Sequence, residues 1–172
     1  IALNKRFSER DIRLVYFNND TENLINFDYQ DFVLKNIANS KNSGFELRIK
    51  WLNAFGEGNL IFRNQDPINQ ENNRLLRRSK NSVSFNFNKD INLYKAHINL
   101  TAFDDRVDFG NVKLPGYVLL NLGIYRQIKE KLSISIRLEN LFDKDYFTAA
   151  TSNAYYLNQD RSFWIKLNYK LR

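Results

Sequence analysis

Apolar and polar side chains alternate along most of this chain. In 161–172, Phe163, Ile165, Leu167, Tyr169 and Leu171 fall on every second position, with Trp164, Lys166, Asn168 and Lys170 between them. A period of two is the strand period. Ile12, Leu14 and Tyr16 alternate with Arg13, Val15 and Phe17, and Ile25, Phe27 and Tyr29 share a face in 24–29. Phe45, Leu47, Ile49 and Trp51 oppose Glu46, Arg48 and Lys50, and Leu60 and Phe62 oppose Ile61 and Arg63. The pattern returns in Val83, Phe85 and Phe87, in Ala96 to Ala102, in Val118 to Ile124 and in Leu132 to Leu138. These segments predict nine antiparallel strands and an all-β fold.

The connections carry a second pattern. Short turns are predicted near 18–22, 54–58, 88–91 and 127–131, alternating with long polar loops at 30–42, 66–79, 104–115 and 143–160. In an antiparallel meander alternate connections share an end, so one end holds all the short turns and the other all the long loops. Outer-membrane barrels are built this way, with short periplasmic turns and longer extracellular loops.

The faces fit the same architecture. The six most regular strands place no charge on their apolar positions, where a charge at the bilayer midplane would cost roughly 2–4 kcal/mol. The opposite face of Ser, Asn, Arg, Glu and Lys suits a wet lumen, and it would suit the outside of a soluble β-sandwich equally well. Strand length separates the two. The runs are about 9–12 residues, as a tilted membrane strand needs, against about 5–6 in soluble sheets. The prediction is therefore an antiparallel transmembrane β-barrel fragment. Bacterial single-chain barrels have even strand numbers, so nine strands predict part of a larger wall.

Composition narrows the choice. At 172 residues there is room for one domain, and 14 Phe, 9 Tyr and 2 Trp against 6 Gly and 2 Pro exclude a disordered chain. No run approaches the 18 or so apolar residues of a membrane helix, so any span must be made of strands. The opening Ile1-Ala2-Leu3-Asn4-Lys5-Arg6 has neither initiator Met nor signal segment and reads as a cut. The absence of Cys removes disulfides, thiolate metal sites and cysteine nucleophiles. A net charge of +7 raises nucleic-acid binding, but the basic residues are spread along strands and loops, and no nucleic-acid partner is expected.

The box Asn140-Leu141-Phe142-Asp143-Lys144-Asp145-Tyr146, then Asp160-Arg161-Ser162-Phe163 and a terminal alternating strand, resembles the C-terminal end of TonB-dependent outer-membrane receptors. Asn18-Asn19-Asp20, Leu24 to Asp28, Ser43-Gly44-Phe45-Glu46 and Leu75-Leu76-Arg77-Arg78-Ser79-Lys80 are similar to the cobalamin branch, whose pattern siderophore and haem receptors partly share. The resemblance runs from about Asp11 to the end. It implies that 1–172 is the C-terminal portion of a plugged barrel of about 22 strands, in the bacterial outer membrane. The plug, the first strands and the segment that meets TonB would lie upstream of Ile1. It implies a receptor for a small molecule, a corrinoid or else an iron chelate, with lipopolysaccharide and outer-membrane lipid around it. The ending Leu171-Arg172 departs from the family's usual terminal aromatic, which puts recognition by the assembly machinery in question.

Carried over residue by residue, the cobalamin likeness places Arg77 near the ligand at the extracellular mouth, with Arg78 beside it, Tyr156 and Tyr155 in the last loop, and Phe109 in a loop shorter than is usual. Arg supplies fixed donors for corrinoid amides, and aromatics supply rigid contact area. The competing expectation makes Arg77 and Arg78 solvated charges or lipopolysaccharide contacts, and the tyrosines girdle residues. His97, the only histidine, has no patterned second ligand and is expected to hydrogen-bond in the lumen. Asp104, Asp105, Asp108, Asp143 and Asp145 lack calcium-loop spacing and are expected to be solvated loop acids. No catalytic motif or cofactor fingerprint is present, so neither an enzyme nor a cofactor is expected.

Overall fold

The structure is a computed structural model that describes residues 1–23, 25–28, 32–36, 39–151 and 154–171. In chain order its strands are β1 (Ala2–Arg6), β2 (Arg10–Thr21), β3 (Ile25–Asp28), β4 (Val33–Asn36), β5 (Ser40–Asn53), β6 (Gly56–Asn69), β7 (Asn81–Ile91) and β8 (Tyr94–Phe103). They continue as β9 (Arg106–Asp108), β10 (Val112–Leu114), β11 (Tyr117–Lys129), β12 (Leu132–Glu139), β13 (Phe147–Thr151), β14 (Ala154–Leu157) and β15 (Ser162–Tyr169). A 3-10 turn, Phe109–Asn111, joins β9 to β10.

Nine of these strands form one antiparallel sheet in the order β1-β2-β5-β6-β7-β8-β11-β12-β15, and the rest form three two-stranded hairpins in the long connections. The count matches the predicted nine, but the membership differs. Ile25–Asp28 is not a wall strand; it pairs with β4 as a loop hairpin, while Leu24 and Tyr29 lie outside the described residues. β1 takes its place in the wall. The physical reason lies in β2, which does not turn at 18–22. Its ladder with β5 runs on through Asn18↔Ser43, Asn19↔Asn42, Asp20↔Lys41 and Thr21↔Ser40. Backbone pairing needs no apolar side chains, so the strand continues where the alternation stops. β5 likewise begins at Ser40 inside the predicted loop, and β6 runs to Asn69.

With that correction the short turns are 7–9, 54–55, 92–93 and 130–131, and the long connections are 22–39, 70–80, 104–116 and 140–161. The strict alternation of the two holds.

Register assigns the faces, because directly opposed residues lie on one side of a sheet. Leu47, Phe62, Val83, Ala102 and Val118 form one lateral row, and Ile49, Leu60, Phe85, Leu100 and Leu120 the next. Among the described residues no second sheet covers this apolar face, and Phe163, Ile165, Leu167 and Tyr169 are each about 60% exposed. A soluble sandwich buries its apolar face. This sheet leaves it to lipid.

The other face carries a ladder of amides. Asn99 Nδ2 donates to Asn86 Oδ1 at 2.9 Å, Asn121 Nδ2 to Asn99 Oδ1 at 3.1 Å, and the Asn140 amide to Asn121 Oδ1 at 2.9 Å. Asn140, which opens the sequence box, adopts φ +51 and is almost fully buried, with its side chain bonded to Lys144 and Gln159. His97 sits on the same face with Nδ1 2.7 Å from Asn88 Oδ1, as expected of a lumenal hydrogen-bonder.

Two glycines mark close approaches between strands. A Cβ on Gly44 would lie 2.0 Å from the backbone oxygen of Asn64, and one on Gly58 would lie 1.9 Å from the Trp51 ring.

Candidate functional site

Among the described residues the fully buried side chains lie at the long-loop end, in the loop hairpins and in the adjoining end of β6. Leu114 and Ala150 have no exposed surface, Pro67 is fully buried, and Tyr117 is nearly so. The hairpin β9–β10 packs there against the hairpin β13–β14, and Tyr117 lies 5.4 Å from Phe103 and 4.8 Å from Tyr146, ring to ring.

At the centre is Asp108, wholly buried. Its carboxylate accepts from Arg77 Nε at 2.9 Å on each oxygen, from the Phe109 amide at 2.9 Å and from the Ala150 amide at 2.6 Å. Those donors come from three connections: 70–80, 104–116 and 140–161. The expectation that Asp108 is a solvated loop acid is therefore wrong. A buried carboxylate requires charge and donors around it, and three loops supply them.

Further bonds reinforce this layer. The Arg77 amide donates to the Val107 carbonyl at 2.8 Å, with Arg77 itself at φ +60. Arg74 donates to the Asp105 side chain and carbonyl at 2.7 Å each. The hydrogen bond from Arg74 and its charge hold the Asp105 carboxyl below its ordinary value of 3.8. Asp104 accepts the Lys80 and Asn81 amides. Arg106, buried beside the rings of Tyr117 and Phe103, donates to the Phe147 carbonyl at 2.7 Å.

The sequence-predicted residues divide on this layer. Arg77 and Phe109 come together, with the guanidinium 5.3 Å from the ring centre. Arg77 keeps nearly half its side chain exposed, and its Nη1 and Nη2 make no hydrogen bond among the described residues. Tyr155 opposes Ala150 across the β13–β14 hairpin, packs 4.9 Å from Phe147, and is thereby tied to Asp108 through the Ala150 amide. Tyr156 alternates to the other face of that hairpin, opposite Ala149, and Arg78 is exposed. Sequence reasoning missed Asp108, Arg74 and Arg106 as organisers. The available signal was the count of arginines in 74–78 against the acids in 104–108.

Among the described residues no group of three or more His, Asp or Glu is placed to hold a metal ion. What the layer offers is a half-exposed guanidinium pinned by Asp108 and flanked by the Phe109 ring.

Comparison with known proteins fixes the class. A family model described as TonB dependent receptor-like, beta-barrel matches residues 3–141. The Vitamin B12 transporter BtuB of Vibrio vulnificus is 28% identical over 139 residues, which cover 78% of this chain and 22% of that protein. The protein of the same description from Photobacterium profundum is 31% identical over 101 residues, 56% of this chain and 16% of the other. The chain thus spans about a fifth of the length of the curated relatives it matches. Among solved structures, the copper transporter OprC superposes with a TM-score of 0.78 at 17% identity, covering 98% of this chain and 30% of that one. The ferric yersiniabactin uptake receptor FyuA from Yersinia pestis superposes at 0.76 with 18% identity, covering 96% and 28%. The ferripyoverdine receptor of the outer membrane of Pseudomonas aeruginosa superposes at 0.74 with 17% identity, covering 94% and 25%. At such identities the structural likeness bears on the fold alone.

The fold is an antiparallel membrane β-barrel wall. The chain belongs to the TonB-dependent receptor β-barrel family, whose members are outer-membrane receptors and transporters.

Proposed function

We propose that this chain is the C-terminal part of an outer-membrane receptor that takes up cobalamin with energy delivered through TonB. The observation that carries the ligand is the sequence likeness to two vitamin B12 transporters, over up to 139 residues. The loop layer supports it chemically. Arg77, nearly half exposed, carries Nη donors beside the Phe109 ring that are unused among the described residues, and Tyr155 stands exposed on the neighbouring hairpin. A corrinoid rimmed with amides and apolar edges calls for such fixed donors and rigid rings.

In this proposal Arg77, Phe109 and Tyr155 form the contact group, with Arg78 and Tyr156 at its margin. Among the described residues β1 pairs only with β2, and β15 only with β12. A membrane barrel has no open edges, so both are proposed to pair with strands of the rest of the receptor, which would also supply the plug and the TonB contact. Several similar structures are iron-chelate receptors, and this sets the alternative ligand class.

Equilibrium binding of cyanocobalamin and of ferric siderophores to the full-length receptor in detergent tests the assignment. Saturable binding of cyanocobalamin alone is expected. Binding of a ferric chelate with none of cyanocobalamin would replace the ligand and keep the transporter class.

A further inference from the structure

The short-turn end of the wall carries a second surface that the loop layer does not explain. On the apolar face, five basic side chains lie near these turns: Lys5 opposite Ile12, Arg10 opposite Trp51, Lys89 opposite Ala96, Arg126 opposite Tyr94, and Lys129 opposite Leu132, alongside the uncharged Asn53 and Ile91. None of them forms an ion pair among the described residues.

The nearest acids do not neutralise this belt. Asp11 pairs with Arg6 on the lumenal face, Glu57 opposes Asn88 there, and Asp90 opposes Lys95 there. Glu9 and Glu130 lie in the turns themselves. At the long-loop end the charges are of both signs and several are paired, as in Lys41–Asp20 at 3.7 Å and Lys80–Asp66 at 2.7 Å.

Rings direct the cations. Lys5 Nζ lies 5.3 Å from the centre of the Phe7 ring and Lys89 Nζ 5.9 Å from that of Phe55, both rings being in the turns. The Arg126 guanidinium lies 4.9 Å over Tyr94, and its Nη1 donates to the Tyr94 hydroxyl at 2.8 Å. For these three the ring contact holds the charge beside the turns, where headgroups begin. Unpaired cations at that depth find their counter-charge in lipid phosphate.

We propose that Lys5, Arg10, Lys89, Arg126 and Lys129 form a belt that binds the headgroups of anionic phospholipids in the leaflet at the short-turn rim. Lys89, Arg126 and Lys129 lie on β7 and β11, one strand apart, and form its densest part.

The test uses the full-length receptor in nanodiscs of phosphatidylethanolamine containing a minor fraction of phosphatidylglycerol, with retained lipid counted by native mass spectrometry after release. Phosphatidylglycerol is expected to be enriched roughly tenfold over its bulk fraction. The combined variant Lys89→Gln, Arg126→Gln and Lys129→Gln is expected to lose most of that enrichment. Lys95→Gln, at the same height on the lumenal face, is expected to keep it. Equal retention of both lipids by the unmodified receptor overturns the proposal and needs no variant to fold. Undiminished enrichment in a folded triple variant overturns it as well.

Discussion

Arg77 and Asp108, 31 positions apart in sequence, meet with the guanidinium Nε 2.9 Å from both carboxylate oxygens. The pair faces two ways. Asp108 is sealed among the loops, whereas Arg77 is nearly half exposed and its Nη groups make no hydrogen bond among the described residues. The carboxylate therefore acts as a pin for three connections and also aims the side chain proposed to meet the ligand.

Replacing Asp108 with Asn leaves the charge of Arg77 unmatched and weakens acceptance from the Phe109 and Ala150 amides. The exposure of Arg77 lowers the cost below that of a fully buried pair, to about 1–3 kcal/mol of local stability. Hydrogen exchange at the Ala150 amide should speed roughly 5- to 150-fold, while β7 and β8 amides stay protected. Unchanged exchange at Ala150 would mean that Asp108 pins nothing.

The Arg74–Asp105 contact predicts a pH effect. A carboxylate held below its ordinary value in the folded state adds stability above that value and loses it as pH falls through the lowered one. The contribution from Asp105 is therefore complete at neutral pH and fades below its ordinary 3.8. In Arg74→Ala the Asp105 titration, followed by carboxyl NMR, should move up toward 3.8. No movement would contradict the role given to Arg74.

Gly44 and Gly58 face obstacles of different kinds. An alanine at 58 meets the Trp51 ring, which can swing away, whereas an alanine at 44 meets the Asn64 backbone, which cannot. Overpacking of this kind costs about 1–3 kcal/mol. Gly44→Ala should lower the unfolding midpoint in urea more than Gly58→Ala, and Gly58→Ala should shift the tryptophan emission more. The reverse order would contradict the register of β5 and β6.

Asn140 is held by both its backbone and its side chain, at a positive φ that Asn tolerates better than most residues. Asn140→Ala removes the bonds to Lys144 and keeps the strain, so a loss of roughly 2–4 kcal/mol is expected in equilibrium unfolding of the receptor. Asn140→Gly should recover part of that loss. A larger loss in the glycine variant would remove strain from the explanation.

Much of the wall was legible in the sequence, because lipid on one face and water on the other force an alternation that eight of the nine wall strands display. The exceptions have physical causes. β1 is short and carries Lys5 on its apolar face, and the upper part of β2 is held by backbone pairing beside Asn18, Asn19 and Asp20, whose polarity imitates a turn. The predicted strand at 24–29 alternates because a loop hairpin has the same period as a wall strand. The ending at Arg172 lies outside the described residues. The loop layer was less legible. Arg77 and Phe109 entered through the family resemblance, but nothing in the local sequence of Asp108 tells a solvated acid from a buried one. Its burial depends on donors brought from 77 and 150.

The most direct measurement is a cyanocobalamin titration of the full-length receptor beside its Arg77→Ala and Arg77→Lys variants. The unmodified receptor should bind saturably, Arg77→Ala should bind roughly 10- to 100-fold more weakly, and Arg77→Lys should recover only part of that loss because Lys lacks the planar fork. A receptor that takes no cyanocobalamin, or an Arg77→Ala variant that binds it as tightly as the parent, would contradict the account.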